Sequence, residues 1–600
     1  MNHPRKASRK AGSSKVSRAA EQTQNECKSS VLLRYHRAIL HMRAQLHQNE
    51  RFGLIFGAGA GHDLKFPEWW DLVEKIAKHP SIRANINNYK SRCGETQSNV
   101  SQRLFHRFKH RQMLRLPQDL DVFNKISSDL QAAWNQIIKD ALYGKKPATT
   151  QELLDRDRYI KEFLPIIKMT KLTVNYNFDD TLERFLSHTR TPDEKRKERG
   201  SRTVWNSDVQ LYSRKAVIYH PNGYLPNVKS ERPSDDLIFL EDSFGDQLID
   251  SASGHYSLLS YHLAQNTCLL VGLGLEDATL KHLLRKSAQA HPGHVHYYVR
   301  FMDDGDMLSP EQKREITDAN FEVYNLVTLF LNRGEIAALG RLLALPVENT
   351  EIKSLALKLK CPTNYYYFLT GSVCVGKSTA VSFFRSLKTH DEWLDQKVEG
   401  MEQDPRKLAE ESNISKINEI DRFVVEQWNQ KNAVLRDAQP GINIVDRSPL
   451  DAFAFTEEPR WKDKARFTKD GVTPGNEKLV SGMVIFLIGH PNVMAIRAKR
   501  VQKKDMSPEL LDYRQALLRL VFDPGKLRGV VEINTCEKLP TKVAKEICRI
   551  IHIDEYKECA LSRRLNDALR GRLAPDPVRA KKPFMLKSTA AVIYSPQPVK

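Results

Sequence analysis

Residues 51–73 read RFGLIFGAGAGHDLKFPEWWDLV, and the order of their chemistry decides the fold. The apolar run Leu54-Ile55-Phe56 ends in Gly57, Ala58, Gly59, Ala60 and Gly61, and an amphipathic stretch follows. That order predicts strand, glycine turn, helix. Glycines in such a turn let the backbone approach a pyrophosphate and aim N–H groups and a helix N-terminus at its charge. The same residues would also serve as a plain tight connection, so the reading depends on what lies downstream.

Three later segments share the design. Residues 170–183 read TKLTVNYNFDDTLE, 216–226 read AVIYHPNGYLP and 267–284 read TCLLVGLGLEDATLKHLL. Each starts with an apolar, β-branched or aromatic run and ends in a polar or glycine turn, as parallel strands do when they deliver functional side chains at their carboxyl ends. Four such elements, with helical stretches between them, predict a doubly wound α/β domain of Rossmann type.

With these motifs in order, roughly residues 30–345 resemble the sirtuin-like NAD hydrolases that act as effectors in prokaryotic antiviral defence. The family's glycine turn followed by Pro-x-Trp appears as Gly57-Ala58-Gly59 with Pro67-Glu68-Trp69. Its Asn-Tyr-Asp motif stands as Asn177-Phe178-Asp179, and its late glycine turn runs from Gly272 to Asp277. The resemblance implies that Gly57, Ala58, Gly59, Gly272 and Asp277 bind NAD as substrate, with Asn177 and Asp179 beside the chemistry. Two positions depart from the pattern. Gly61 stands where the family has Ser or Thr, and Asn222, before Gly223, stands where the family has its catalytic His. His220 lies two residues earlier; on an extended strand it would face the same way. Both His220 and Asn222 therefore remain open for that position, with a structural histidine as the other reading of His220.

The chemistry explains the residue types. Releasing nicotinamide breaks an N-glycosidic bond through a cation-like transition state, which positioned polar groups stabilise while orienting water. Asn177 can donate and accept, suiting it to a water or a ribose hydroxyl. Asp179 could hold the ribose hydroxyls or fix its loop. Both could equally cap the helix expected from Thr181. A protein deacylase is disfavoured because the eight cysteines are scattered and form no Cys-x-x-Cys for a zinc ribbon.

Residues 364–387, NYYYFLTGSVCVGKSTAVSFFRSL, carry a second nucleotide signal. Gly371 to Ser378 is Gly-x-x-x-x-Gly-Lys-Ser: backbone N–H groups would cradle phosphates from Gly371 to Gly376, Lys377 would reach the terminal ones, and Ser378 would bind magnesium with Thr379 beside it. Ile442 to Val445 predicts a strand ending in Asp446-Arg447-Ser448, and residues 481–491 predict another. Roughly residues 362–555 thus resemble deoxynucleoside and thymidylate kinases. That resemblance implies ATP or another nucleoside triphosphate with magnesium, Asp446 near the metal and attacking group, and Arg447 on a phosphate. It also implies a mobile lid bearing Arg497, Arg500, Lys503 and Lys504, although a solvated basic helix face fits those cations equally. Glu399 is the carboxylate expected against the nucleoside hydroxyl.

The 600 residues allow two to four domains. The expected organisation is a basic tail over 1–30, a sirtuin-like domain over 31–345 with a helical insertion at 85–150, a linker at 346–363, a kinase-like domain over 364–555 and a basic tail over 556–600. No long apolar run predicts a membrane span, and the N-terminus lacks a secretory apolar region. Unpaired cysteines fit a cytoplasmic location. The formal charge of +20 concentrates at the ends, where solvated tails or non-specific nucleic-acid contact would follow; no sequence-reading motif accompanies it. A homo-oligomer is compatible with this sequence. Three functions compete: an NAD hydrolase gated by the kinase-like half, a nucleotide kinase with an inherited sirtuin-like half, and a non-catalytic nucleic-acid-associated protein.

Overall fold

A computed structural model of the chain describes residues 8–86, 95–113, 123–190, 201–205, 216–228, 231–253, 256–303, 305–346, 350–392, 414–455, 461–472, 479–502 and 505–573. Its first sheet has seven strands: β1 (Phe52–Phe56), β2 (Leu172–Asn175), β3 (Arg202–Val204), β4 (Val217–Tyr219), β5 (Thr267–Val271), β6 (His296–Phe301) and β7 (Leu326–Leu331). The order is β3-β4-β2-β1-β5-β6-β7, and the neighbouring pairs are parallel. Every residue of β1, β2, β4, β5 and β7 is buried, as strands covered by helices on both faces require. The chain runs from β1 outward to β2 on one side and later returns to β5 on the other. The order therefore reverses at β1, and a crevice opens beyond its carboxyl end.

The second sheet contains β8 (Asn364–Gly371), β9 (Lys388–His390), β10 (Gly441–Asp446), β11 (Met483–Ile488) and β12 (Val530–Asn534). Its order, β12-β11-β8-β10-β9, is likewise parallel and reverses at β8. Here too the switch point sits where the sequence places glycines.

One helix, α1 (Ser8–His47, kinked at Tyr35), joins the two sheets. Its buried Val31, Ile39 and Met42 belong to one apolar cluster with Leu54 and Val271 of the first sheet and Tyr367 and Ile444 of the second. Polar side chains on the same helix find partners on both sides. His41 Nδ1 meets Tyr297 Oη at 2.8 Å, His36 Nδ1 meets Tyr365 Oη at 3.0 Å, and Arg37 donates to Tyr367 Oη at 2.8 Å. Arg43 donates to the carbonyls of Leu342, Leu345 and Pro346 at the end of the first half.

This arrangement differs from the expected boundaries. The stretch 1–30 is expected as a tail, yet α1 starts at Ser8; its side chains become buried from Val31 onward. The 346–363 linker contains a helix, Thr350–Lys358. Beyond 555, Cys559 N–H donates to Gly482 O at 2.8 Å, and the helix Leu561–Leu569 buries Leu561 and Leu565 against the second core. The remainder of that tail, 574–600, lies outside the described residues. Among the described residues no helix is long and apolar enough to cross a membrane.

Candidate functional site

A cavity of about 630 Å³ lies at the switch point of the first sheet, lined by Gly57, Ala58, Gly59, Asn177, Asp179, Asn222, Gly272 and Asp277 among others. The glycines make this corner possible by allowing two turns to pack. Gly59 N–H donates to Gly272 O at 2.9 Å, and Gly272 has φ +73°. A Cβ on Gly272 would stand 2.2 Å from Ala60 N. After Gly57 the chain takes a turn of 3₁₀ helix, Ala58–Leu64, before the amphipathic helix Trp69–Ala77. The expected helix is thus delayed by about two turns.

Asn177 follows β2, and its Nδ2 donates to Gly57 O at 3.2 Å, tying the β2 turn to the glycine turn. Asp179 also lines the cavity, but its Oδ1 accepts from Thr181 N at 3.0 Å at the start of the helix Thr181–His188. Burial raises its carboxyl above the usual range, opposed by the Thr181 hydrogen bonds. Asp277 similarly caps the helix Ala278–Ala290 through Leu280 N at 2.6 Å while facing the cavity. Capping and lining coexist at both carboxylates. Tyr176, also on the wall, keeps a buried hydroxyl with no partner among the described residues.

The structure separates His220 from Asn222. β4 ends at Tyr219, and His220 to Gly223 form a turn closed by Gly223 N to His220 O at 3.1 Å. The extended-strand rule fails there, so the two side chains diverge. Asn222 lines the cavity; His220 is fully buried behind it. His220 Nδ1 donates to Asn177 O at 2.7 Å and Nε2 donates to Glu183 Oε1 at 2.9 Å. The carbonyl at Nδ1 requires a donor there, and a carboxylate at Nε2 favours the doubly protonated ring. Burial works to lower its pKa, but the Glu183 carboxylate and the Asn177 carbonyl raise it on balance above 6.5. His220, expected either as a proton-transfer residue or as a structural histidine, thus lies off the cavity wall and contacts the Asn177 main chain.

Other neighbours were not found from the sequence. Asp180 accepts from Asn227 N and from Tyr143 Oη, the last residue of the insertion helix Phe123–Tyr143. The insertion contributes Leu142 to the cavity wall and packs its buried Trp134 with Leu225 and Phe239. At the mouth, Arg333 donates to Asp63 at 2.8 Å and Asp303 at 3.0 Å and lies over Phe301. Arg333 opens a helix with its own Asn332–Glu335 capping box, the one local signal that marks this position.

A second cavity, about 490 Å³, opens at the carboxyl end of β8 and is lined by Gly376, Lys377, Ser378, Thr379, Glu392, Arg447 and Arg497 among others. Gly371 and Gly376 adopt φ of +148° and +106°. Lys377 Nζ donates back to Gly371 O at 2.9 Å and Ser372 O at 3.0 Å. Burial and the nearby Arg447 lower its pKa to about 8, opposed by Asp446 and Asp451. Ser378 and Thr379 are exposed. The helix after the loop is short, Lys377–Val381. Ser372 Oγ and Asp446 Oδ1, neither on the cavity wall, are buried without partners among the described residues.

Asp446 itself is 7% exposed and stands behind this cavity, its backbone carbonyl taken by Lys431 Nζ at 2.9 Å. In its place Glu392, just after β9, faces the cavity and pairs with Arg447 Nε at 2.8 Å. Glu399, the carboxylate expected against the nucleoside hydroxyl, lies outside the described residues. Glu392 stands two residues beyond the three-residue β9, where no periodic pattern marks it. Arg497 lines the cavity and donates to Thr535 O at 3.2 Å; Arg500 is exposed and does not line it. Lys503 and Lys504 lie outside the described residues.

Residues 171–326 match the family model of the SIR2-like domain. That span contains the cavity-lining Asn177, Asp179, Asn222, Gly272 and Asp277, with His220 behind them, whereas Gly57 to Gly59, Leu142, Tyr159 and Arg333 of the same wall lie outside it. No curated protein matches the chain. The first half thus carries a sirtuin-like region on a parallel seven-stranded sheet, a class associated with NAD.

Proposed function

We propose that the larger cavity cleaves nicotinamide from NAD by water, giving ADP-ribose, and that the second half binds a nucleoside triphosphate with magnesium and gates that reaction. The observation that carries this reading is the convergence of Asn177, Asp179 and Asn222 on one cavity at the switch point of the sirtuin-like sheet. Its volume lies within the range of small-molecule sites. The dinucleotide's pyrophosphate would lie along Gly57 to Gly59 and Gly272, and the nicotinamide ribose near Asn177 and Asn222. Asn177 would orient water or a ribose hydroxyl. Asn222 would contribute hydrogen bonds rather than proton transfer, so the cation-like transition state would rely on electrostatic stabilisation.

In the second half Lys377, Arg447 and Arg497 would neutralise phosphate charge, Ser378 would hold magnesium, and Glu392 would face the attacking group. A gate gives a physical reason for a cell to tolerate such an enzyme, because unregulated loss of NAD is toxic. This fits an abortive antiviral effector, by the resemblance. A gate requires a ligand that binds two states with different affinity. The buried packing of both sheets on α1 supports a mechanical connection.

A second reading, a nucleotide kinase whose first half only binds nucleotide, is favoured by Glu392 and Arg447 paired on the second cavity. Incubating the protein with NAD, with and without nucleoside triphosphate and magnesium, and measuring nicotinamide and nucleotide products separates the two. Nicotinamide release decides for the first; phosphorylated product without nicotinamide decides for the second.

A further inference from the structure

The cavities above both open at carboxyl ends of strands. A third, about 460 Å³, lies at the opposite ends, where Lys388 begins β9, Gly441 begins β10 and Arg51 precedes β1. Its remaining wall is the last part of α1, so both halves and the helix joining them contribute.

The chemistry of this wall is one-sided. Arg51, Arg385 and Lys388 bring three exposed cations, while no carboxylate is among the lining residues described. Beneath them are polar atoms without partners among the described residues. Gln45 is 1% exposed; its Nε2 donates to Ser386 O, and its Oε1 has no partner among the described residues. Ser386 Oγ is buried in the same wall with no partner among the described residues. Buried polar atoms left unmatched cost stability unless a ligand or water completes them. Three cations without a counter-charge select an anion.

We propose that this cleft between the halves binds a small phosphate-bearing ligand. Its phosphate is held by Arg51, Arg385 and Lys388, and its hydrogen-bonding body is read by Gln45 and Ser386. Because the ligand touches α1 and both halves at once, it ties the relative placement of the two sheets to its own occupancy. This inference stands independently of the activity assigned to the other cavities.

The test is calorimetric titration of the full chain with inorganic pyrophosphate, in a Lys377→Ala background that disables the phosphate loop. The expected result is saturable binding that weakens at least tenfold in Arg385→Glu/Lys388→Glu and again in Arg51→Gln. Both sets of substitutions are at exposed side chains, and unliganded melting temperatures and circular dichroism establish that the variants are folded. Absence of binding to the Lys377→Ala protein, or an affinity unchanged by the cleft substitutions, overturns the proposal. Adenosine, which shares hydrogen-bonding groups but carries no phosphate, is expected not to compete; equal binding of adenosine overturns the claim that the anion is the recognised group.

Discussion

His220 holds Asn177 by its main chain: the buried imidazolium donates from Nδ1 to the Asn177 carbonyl at 2.7 Å, its other nitrogen anchored on Glu183. The histidine therefore acts through the loop it fixes. Replacing it with Ala leaves the Glu183 carboxylate buried and unpaired, which costs about 3–5 kcal/mol in comparable buried pairs. Because the native pKa is raised, this stabilisation is complete below 6.5 and is lost as pH rises through the native value. Denaturant unfolding of wild type and His220→Gln should show their difference largest in mild acid and shrinking in alkali. A difference that grows with pH would contradict the imidazolium assignment.

Asn177→Ala is expected to abolish nicotinamide release while leaving the fold intact. Turnover within tenfold of wild type would mean a loss of only about 1.4 kcal/mol of transition-state stabilisation, too little for the assigned role. Asn222→Ala should lower kcat with little change in melting temperature, whereas His220→Ala should lower both. The reverse pattern would return the cavity-facing role to His220.

Gly272→Ala should be among the most damaging single methyl additions. The residue sits at φ +73°, and the new Cβ would meet Ala60 N at 2.2 Å. Strain of this kind costs at least about 1–3 kcal/mol, and relief requires the two turns to separate. A lowered melting temperature and loss of NAD binding are expected together. Unchanged binding would show that the turn pair is not the dinucleotide cradle.

Coupling is tested by Lys377→Ala. Nucleoside triphosphate binding should weaken, and NAD hydrolysis should change at nucleotide concentrations that saturate wild type. Glu392→Gln should stop any phosphoryl transfer yet retain regulation if occupancy is the signal. Hydrolysis identical to wild type in Lys377→Ala would show that the halves are joined without communicating.

Acid should weaken the junction. Burial lowers His41 to about 3 and His36 and His294 to about 4. Such groups favour folding above 6.5, and their contribution falls by about 1.4 kcal/mol per pH unit per histidine as pH drops from there toward the native values. Acid unfolding followed by circular dichroism should steepen below about pH 6, and His36→Gln should move its midpoint to lower pH. No movement would mean that His36 is not held neutral in the native state.

Much of this architecture is local and therefore legible in one dimension. Apolar runs ending in Gly57, Asn177, Gly272 and Gly371 announce buried parallel strands with turns at their ends, since burial leaves its mark on residue type, as does the positive φ at Gly272 and Gly371. The short strands β3 and β9 are too brief for such a mark, and Glu392 was lost with β9. The choice between His220 and Asn222 was never local: it depended on β4 ending at Tyr219, after which alternation no longer applies. The α1 helix shows the same limit. Its basic, polar composition reads as a tail, and only the two sheets packed against Val31, Ile39 and Met42 make it a buried connector. Residue chemistry determined which turns could hold phosphate or ribose; long-range packing decided which side chains reach the cavities, because burial is a property of the neighbours rather than of the segment.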